Sequence, residues 1–385
     1  DPNSDGLWVL DEASGTETVT GGVITGGTGY PYQLYSTVNC GGGVYIASGG
    51  QLTMTGGNII GCSAECGGGV CTDSEQTVKF SMSGGSIAGC VASDIGGGVR
   101  ASGTFKMSGQ AVIRSCTAES ATQFVCGGGV YVDGSFEMSG EAIIEGCQAI
   151  SEYAYGGGVF VNSSRSFVMS EKAKIEDCKA ISNSSKSSNG GGVFLANGTS
   201  LTLSGNAVIQ NCRAVSSDSS GEAYGGGVRA FYVREITLDG SARIVGCTAA
   251  NGSGLYITGS QQSGYGILYA NGGSVDGDVV LGDTTEGPCT ITGSGETVFN
   301  GKVTVTPGST IESGTFNGEV INNGTISGGE FTGTVSNNGS ITGGTFSGTV
   351  INGEDGTIAE GVSIPNLKFI VTFDNEGTRT TAIID

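Results

Sequence analysis

Few residues in this sequence are suited to catalysis. The chain has 385 residues and no histidine, so the commonest general base is missing. Paired carboxylates can hydrolyse glycosides. Asp73 and Asp133 are candidates for such a pair. They lie two copies apart in a glycine-containing repeat, which corresponds to about 10 Å at the usual strand spacing. This separation is too long even for the carboxyl pair of an inverting glycosidase. Further acidic side chains fall in the intervening segments, at Glu119, Glu152, Asp218 and Glu222. No acidic pair recurs at matched positions, so solvated charges are expected and the sequence favours a protein that is not an enzyme.

A row of aromatic and arginine side chains is the candidate binding surface. Each member follows the valine of a Gly-Gly-Gly-Val block, or its counterpart, and alternation along a strand points it outward. Rings stack on sugar faces, while carboxylates orient hydroxyl groups. The predicted binding residues, with one acidic neighbour, are Tyr45, Arg100, Tyr131, Asp133, Phe160, Phe194, Arg229 and Tyr256. The alternative is that the segments between a recurring cysteine and the next glycines fold over this row and bury it.

The elements that position these residues come from one repeat. Gly-Gly-Gly-Val begins at Gly41, Gly67, Gly96, Gly127, Gly156, Gly190 and Gly225, with a degenerate eighth copy at Gly252. The gaps of 26, 29, 31, 29, 34 and 35 residues are typical of a solenoid. Each copy holds three short strand-like segments, which predicts an all-β, right-handed, single-stranded parallel β-helix with three strands per coil and seven to eight coils over residues 41–272.

Twelve cysteines are present, and seven of them recur three residues after an isoleucine. Stacked coils would place these side chains in two internal columns of small apolar groups. The isoleucine column is Ile59, Ile87, Ile113, Ile144, Ile175, Ile209 and Ile244. The cysteine column is Cys62, Cys90, Cys116, Cys147, Cys178, Cys212 and Cys247.

Cysteines outside the column leave two alternatives open. Cys40 and Cys66 occupy equivalent sites on adjacent coils, where one disulfide could form. Cys62, Cys66 and Cys71 could ligate a metal, although no fourth ligand matches their spacing. The sequence predicts no cofactor. Calcium at Asp276, Asp278 and Asp283 is an alternative that does not fit the known calcium-binding repeat.

Other segments flank the large repeat. Residues 1–40, with the single tryptophan Trp8, are expected to form an N-terminal cap. Phe316, Phe331 and Phe346 lie 15 residues apart, which predicts a narrower short-repeat β-solenoid over residues 273–364, with two strands per turn. Residues 365–385 contain one strong strand, which is either a terminal strand or the start of a truncated next domain.

The net charge and the hydropathy of the chain limit the classes of partner that we expect. The net charge of −20 repels phosphate backbones and anionic lipid, so nucleic acid is not an expected partner. No apolar run reaches the roughly 20 residues that span a bilayer, so direct membrane insertion is not expected. The start at Asp1 has the form of a trimmed boundary, so the missing signal peptide says nothing about secretion.

The Gly-Gly-Gly-Val and Ile-x-x-Cys motifs resemble those of adhesin-like right-handed β-helix proteins of host-associated bacteria. They are distantly similar to the chlamydial polymorphic membrane proteins, whose second motif is Phe-x-x-Asn rather than a sequence such as Ile144 to Cys147. The resemblance covers about residues 40–260 and carries over no catalytic residue. It implies an extracellular protein, secreted or at the bacterial surface, that binds a glycan or a host or microbial surface protein through an outward face. A polysaccharide hydrolase or lyase and a structural stalk are the alternatives.

Overall fold

The computed structural model describes residues 8–10, 16–33, 37–74, 78–121, 124–162, 164–218, 221–260, 266–375 and 378–384. Within these ranges the chain is a parallel β-helix, which confirms the predicted fold class. Parallel strands joined by crossovers form right-handed connections in nearly all proteins, which favours the predicted right-handed coil. Among the described residues, no helix is long and apolar enough to cross a lipid bilayer.

Strands from successive coils form four sheets, which we call the first to the fourth sheet in the order that the chain visits them. The first sheet contains Trp8–Leu10, Val44–Ile46, Val70–Thr72, Val99–Ala101, Val130–Val132, Val159–Val161, Val193–Leu195, Val228–Ala230, Leu255–Ile257, Val279–Leu281, Val303–Val305, Val320–Asn322, Val335–Asn337, Val350–Asn352, Leu367–Asn375 and Thr378–Ile384. The second sheet contains Thr16–Val19, Gln51–Met54, Lys79–Met82, Thr104–Met107, Ser135–Met138, Ser166–Met169, Ser200–Leu203, Glu235–Leu238, Ile267–Ala270, Thr290–Thr292, Thr310–Ile311, Thr325–Ile326, Ser340–Ile341 and Thr357–Ile358.

The third sheet contains Val23–Thr25, Asn58–Ile60, Ser86–Ala88, Val112–Arg114, Ile143–Glu145, Lys174–Glu176, Val208–Gln210, Arg243–Val245, Ser274–Val275, Val298–Phe299, Thr315–Phe316, Glu330–Phe331 and Thr345–Phe346. The fourth sheet contains Tyr30–Gln33, Thr37–Cys40, Ser63–Cys66, Val91–Ile95, Thr117–Glu119, Phe124–Cys126, Gln148–Ser151, Tyr153–Tyr155, Lys179–Ser182, Ser188–Asn189, Arg213–Ser216 and Ala223–Tyr224.

The fourth sheet is the main difference from the expected three strands per coil. Most of its strands lie in the segments between a column cysteine and the next glycines, such as Gln148–Ser151 and Tyr153–Tyr155. An alanine recurs two residues after each column cysteine, as at Ala149, but the strands that follow it are short and differ in length between coils, so these segments were expected to be loops. Large coils therefore have four sides.

One core fills the tube, because matching residues lie in register from coil to coil. Ile144, for example, pairs with Ile113 on one side and Ile175 on the other. All seven isoleucines and all seven cysteines of the two columns are at most 5% exposed. Phenylalanine rings of the second sheet stack 4.8, 4.8 and 4.7 Å apart, at Phe80, Phe105, Phe136 and Phe167. Such columns bury apolar area only when coils stack, so stability belongs to the array.

Each position of the glycine triplet requires glycine for a different reason, as Gly127 to Gly129 show. Gly127 has φ of 69°, a left-handed conformation that reverses the chain between the fourth and first sheets. A Cβ atom on Gly128 would overlap the carbonyl group of Gln148. A Cβ on Gly129 would lie 3.0 Å from Ile144 Cγ2 and 3.2 Å from Cys147 Sγ, so the third glycine makes room for both columns.

The short-repeat region continues the same core and the first three sheets. Each 15-residue turn has three strands rather than the expected two, as in Val320–Asn322, Thr325–Ile326 and Glu330–Phe331. Inside it, buried Asn322, Asn337 and Asn352 form a ladder of amide hydrogen bonds, each 2.7 Å long. The chain then leaves the coil in an antiparallel hairpin, Leu367–Asn375 with Thr378–Ile384.

The segment expected to be an N-terminal cap contributes strands to the coil. Trp8–Leu10, Thr16–Val19 and Val23–Thr25 pair in parallel with the next strands of the first, second and third sheets. Tyr30–Gln33 and Thr37–Cys40 form an antiparallel hairpin beside them.

Candidate functional site

The predicted binding row lies along the first sheet, but most of it is covered. Residues just before several of the glycine triplets pack over the row, as Tyr155 does against Phe160 and Phe194, with ring centroids 6.4 and 5.1 Å apart. Five of the eight predicted residues are less than 9% exposed, namely Tyr45, Phe160, Phe194, Arg229 and Tyr256. The alternative of a covered row therefore describes this surface, and an open aromatic platform does not exist here.

Three predicted residues are half-buried and held by neighbours. Arg100 donates from Nη1 to the Thr72 carbonyl oxygen, 3.0 Å away. Tyr131 stacks on Phe160 at 5.2 Å, and burial raises the pKa of its hydroxyl. Asp133 forms an ion pair with Arg165 at 3.4 Å. None of these three lines the cleft described next.

A cleft opens where the fourth sheet ends. The last full strand of that sheet is Ala223–Tyr224, and only isolated bridges continue it to Thr248 and Asn251. Beyond this point the coil has three sides, and the loop after Val279–Leu281 rises to form the opposite wall. The cleft has a volume of about 370 Å³, which is in the range of small-ligand sites. Its lining consists of Tyr155, Ser187, Asn189, Phe194, Glu222, Tyr224, Arg229, Phe231, Tyr256, Asp283, Thr285 and Glu286.

Arg229 is at the centre of the cleft. Its side chain is 5% exposed, and its Nη2 atom lies 2.8 Å from Glu286 Oε2. The guanidinium carbon is 4.4 Å from the ring centre of Tyr256, 5.4 Å from that of Phe231 and 5.7 Å from that of Tyr224. These distances are those of cation–π contacts.

The Nε atom of Arg229 is a donor without an acceptor among the described residues. Nη1 donates to the Ala230 carbonyl oxygen at 3.1 Å and to Thr258 Oγ1 at 3.4 Å, and Nη2 is taken by Glu286. A buried donor left unpaired costs free energy, about 1–3 kcal/mol. An acceptor on a ligand in the cleft would recover part of that cost.

The loop that closes the cleft is organised by Asp283. Its carboxylate accepts hydrogen bonds from the Thr285 amide at 2.7 Å, from the Thr285 hydroxyl at 2.6 Å and from the Tyr256 hydroxyl at 3.0 Å. Although burial opposes ionisation, these bonds lower the pKa of Asp283 to about 2. Asp283 is therefore ionised near neutral pH. Opposite it, the Tyr224 hydroxyl donates to the Glu222 carboxylate.

The described residues contain no group of three or more cysteine or acidic side chains arranged to hold a metal ion. Asp276 instead pairs with Arg243 at 3.4 Å, while Asp283 bonds Tyr256. The calcium alternative thus has no support from this geometry. Cys62 belongs to the central core, whereas Cys66 and Cys71 belong to a separate outer cluster, so the three cysteines of the metal alternative are divided between two clusters.

Sequence reasoning found part of this cleft. Phe194, Arg229 and Tyr256 belonged to the predicted row, and Glu222 was among the acidic candidates. The roles of Glu286 and of Asp283 as a cleft carboxylate were missed. The available signal was the irregular Asp283–Pro288 segment, which interrupts an otherwise uniform pattern of strands and glycine turns.

Fold and cleft together define a parallel β-solenoid with a concave site of aromatic and charged side chains near the end of its fourth sheet. Comparison of the chain with protein-family models, with curated proteins and with solved structures found no match.

Proposed function

We propose that this protein is a secreted or surface-attached bacterial binding protein that recognises a glycan in the cleft around Arg229. The observation that supports this proposal is the combination of aromatic rings with ordered polar groups in one concavity. Tyr224, Phe231 and Tyr256 supply apolar ring surface, and Asp283, Glu286 and Arg229 supply hydrogen-bonding groups. Sugars present apolar ring faces and hydroxyl edges, which such a lining complements.

The charges of the cleft favour a neutral or an amino sugar. Glu222, Asp283 and Glu286 contribute three carboxylates, and Arg229 is the single cation among the lining residues. Arg229 is already paired with Glu286, so an acidic sugar would meet uncompensated negative charge. The chain as a whole carries −20, which adds to the repulsion.

The solenoid would serve as a rigid carrier for this cleft. Fourteen strands stack in the second sheet, so at the usual spacing of parallel strands the array is about 60 Å long. Rigid placement reduces the entropy lost on binding, because the lining groups are already ordered by the coil. This combination of reach and preorganisation suits an adhesin-like protein.

Glycan arrays followed by calorimetry would test the proposal. We expect binding to arrayed neutral or amino glycans, weakened by Tyr224→Ala roughly thirtyfold, as truncation of an aromatic hot spot typically does. Phe124→Ala is the matched control, because Phe124 is 59% exposed on the same sheet and lies outside the cleft. Absence of binding to all neutral and amino glycans, or equal weakening by the control, would contradict the proposal.

A glycoside hydrolase is the second candidate, and the three carboxylates in one cleft are the observation that favours it. Asp283 is an unsuitable proton donor, since a general acid needs a raised pKa and that of Asp283 is lowered to about 2. Glu222 would have to fill that role. Release of reducing ends from a bound glycan, abolished by Glu222→Gln, would identify an enzyme; binding without turnover would identify a lectin-like protein.

A further inference from the structure

Three cysteine thiols meet at the corner between the first and fourth sheets. Cys40 and Cys66 are paired neighbours on the fourth sheet, and Cys71 lies on the first sheet after the intervening glycine triplet. The side chains of all three pack in one buried cluster, together with Tyr45. All three are free thiols, exposed by 2%, 7% and 0% respectively. We call this group the thiol triad.

The thiol triad differs chemically from the cysteine column inside the tube. A column thiol such as Cys147 has backbone acceptors, the carbonyl oxygens of Glu145 at 3.5 Å and Ile113 at 3.9 Å. Burial raises the pKa of Cys147 well above its ordinary value. Cys147 is therefore a neutral packing group.

The triad, by contrast, faces a buried cation. Nη1 of Arg100 lies 3.7 Å from Cys71 Sγ, and Nε of Arg100 has no acceptor among the described residues. A buried guanidinium is costly unless an anion compensates it. Although burial opposes ionisation of Cys71, the thiol of Cys40 and the charge of Arg100 lower its pKa. Cys71 is thus the sulfur of this group that is best placed to be a thiolate.

We propose that the thiol triad is a peroxide-oxidised disulfide site, with Cys71 as the reacting thiolate and Cys40 as the resolving thiol. Hydrogen peroxide is the oxidant, and it is small enough to reach a site from which larger reagents are excluded. The proposal is independent of the glycan cleft, because the triad lies near the N-terminal end of the coil.

The reaction has two balanced steps. Sulfur of the Cys71 thiolate attacks one peroxide oxygen, so that an S–O bond forms, the O–O bond breaks and hydroxide leaves to become water with the proton that Cys71 had released. Sulfur of Cys40 then displaces the hydroxyl of the Cys71 sulfenic acid, which leaves as water with the Cys40 proton. In sum, two thiols and one hydrogen peroxide give one disulfide and two waters. Cys66 belongs to the same cluster and pairs with Cys40 on the neighbouring strand, so it can exchange into the bond.

The disulfide would tie two successive coils together. It joins the strand Thr37–Cys40 of the N-terminal hairpin to Val70–Thr72 of the first sheet. Neighbouring coils of a solenoid are stabilised by their mutual contacts, so a covalent bond between them opposes their local separation.

Peptide mapping of the full chain after hydrogen peroxide treatment tests the proposal. We expect one disulfide that includes Cys40, bridged to Cys71 or after exchange to Cys66, while the column thiols stay reduced. In Cys40→Ser, we expect no disulfide and a Cys71 sulfenic acid, which dimedone traps when the peroxide-treated chain is unfolded in its presence. Cys289→Ser is the control, because this buried cysteine lies outside the triad and its loss should change nothing.

The role of Arg100 is tested by the oxidation rate. Arg100→Gln should slow reaction of Cys71 about tenfold or more, since each unit by which the thiol pKa rises lowers the thiolate fraction tenfold. Arg100→Lys keeps the charge and serves if the glutamine variant does not fold. The proposal is overturned if peroxide leaves all triad thiols reduced, if column cysteines oxidise as readily, or if Cys40→Ser forms a disulfide between Cys66 and Cys71 as fast as the unaltered chain forms its own.

Discussion

Replacing Asn337 by aspartate should make stability depend on pH through a single buried group. Asn337 is fully buried; its Oδ1 accepts from Asn322 Nδ2 at 2.7 Å, and its Nδ2 donates to Asn352 Oδ1 at 2.7 Å and to the Thr357 carbonyl at 3.3 Å. In Asn337→Asp one carboxylate oxygen keeps the first bond. The other faces two acceptors and has no donor, so the protonated form is favoured and the pKa of the new carboxyl is raised.

The direction of the pH dependence follows from the difference between the pKa of this carboxyl in the folded chain and its pKa in the unfolded chain. A carboxyl with a raised folded-state pKa binds its proton more tightly in the native chain, so its penalty is smallest below the unfolded pKa of about 3.9. As pH rises toward the folded pKa, stability falls by about 1.4 kcal/mol per pH unit. Above the folded pKa the full cost of an uncompensated buried charge applies, about 3–5 kcal/mol.

Urea unfolding at pH 5 and pH 8 would measure this effect, with Asn338→Asp as the matched control. Asn338 is the next residue, is exposed, and donates to Asn323 Oδ1 at 3.3 Å, so its substitution adds the same charge outside the tube at a cost within about 0.5 kcal/mol. The difference in midpoint between the two variants should grow from pH 5 to pH 8. Equal midpoints at both values would refute the internal amide ladder.

Two further perturbations test the packing of the large coils. Ile144→Asp should unfold this part of the array, because Ile144 is fully buried; thermal melts monitored by circular dichroism would show the loss. Ile143→Asp, on the partly exposed outer side, should lower the melting temperature far less. A near-wild-type melting temperature for Ile144→Asp would contradict an internal column. Gly157→Ala should lower the melting temperature, because the new Cβ would overlap the Lys179 carbonyl group. Gly21→Ala is the control and should not lower it, since no atom lies within 4 Å of a Cβ at that position. Equal melting temperatures for the two variants would contradict the close packing of backbone at Gly157.

Much of the fold was predictable because stacking imposes matched residues. Ile144 and Cys147 recur with their neighbours at fixed spacing, and a repeated residue must meet its own copy in the next coil. The fourth sheet was not predictable, because strands such as Ser188–Asn189 are two residues long and follow segments of variable length. A hydrophobic pattern needs several residues to be recognised, and these strands do not provide them.

The cleft was harder to predict for a related reason. Arg229 and Glu286 lie 57 residues apart, and their ion pair depends on a loop that occurs once. Comparing the copies of a repeat predicts only the features that every coil shares. It cannot predict a site that depends on a loop found in a single coil. The covered row could not be predicted for a similar reason. Alternation along the strand predicts that Phe160 points outward, but it does not predict which segment packs over it.

The position of the cleft follows from the break in the repeat. The cleft lies where the last strand of the fourth sheet, Ala223–Tyr224, has no full successor. Tyr224 still packs on Tyr256 edge to face at 5.0 Å, as Tyr155 does on Phe194 earlier in the stack, at 5.1 Å. The loop around Asp283 supplies the rest of the lining, and it occurs at this point because the coil changes here from four sides to three. A change in the repeat thus brings non-repeating residues together, and the end of the fourth sheet is where binding should be sought.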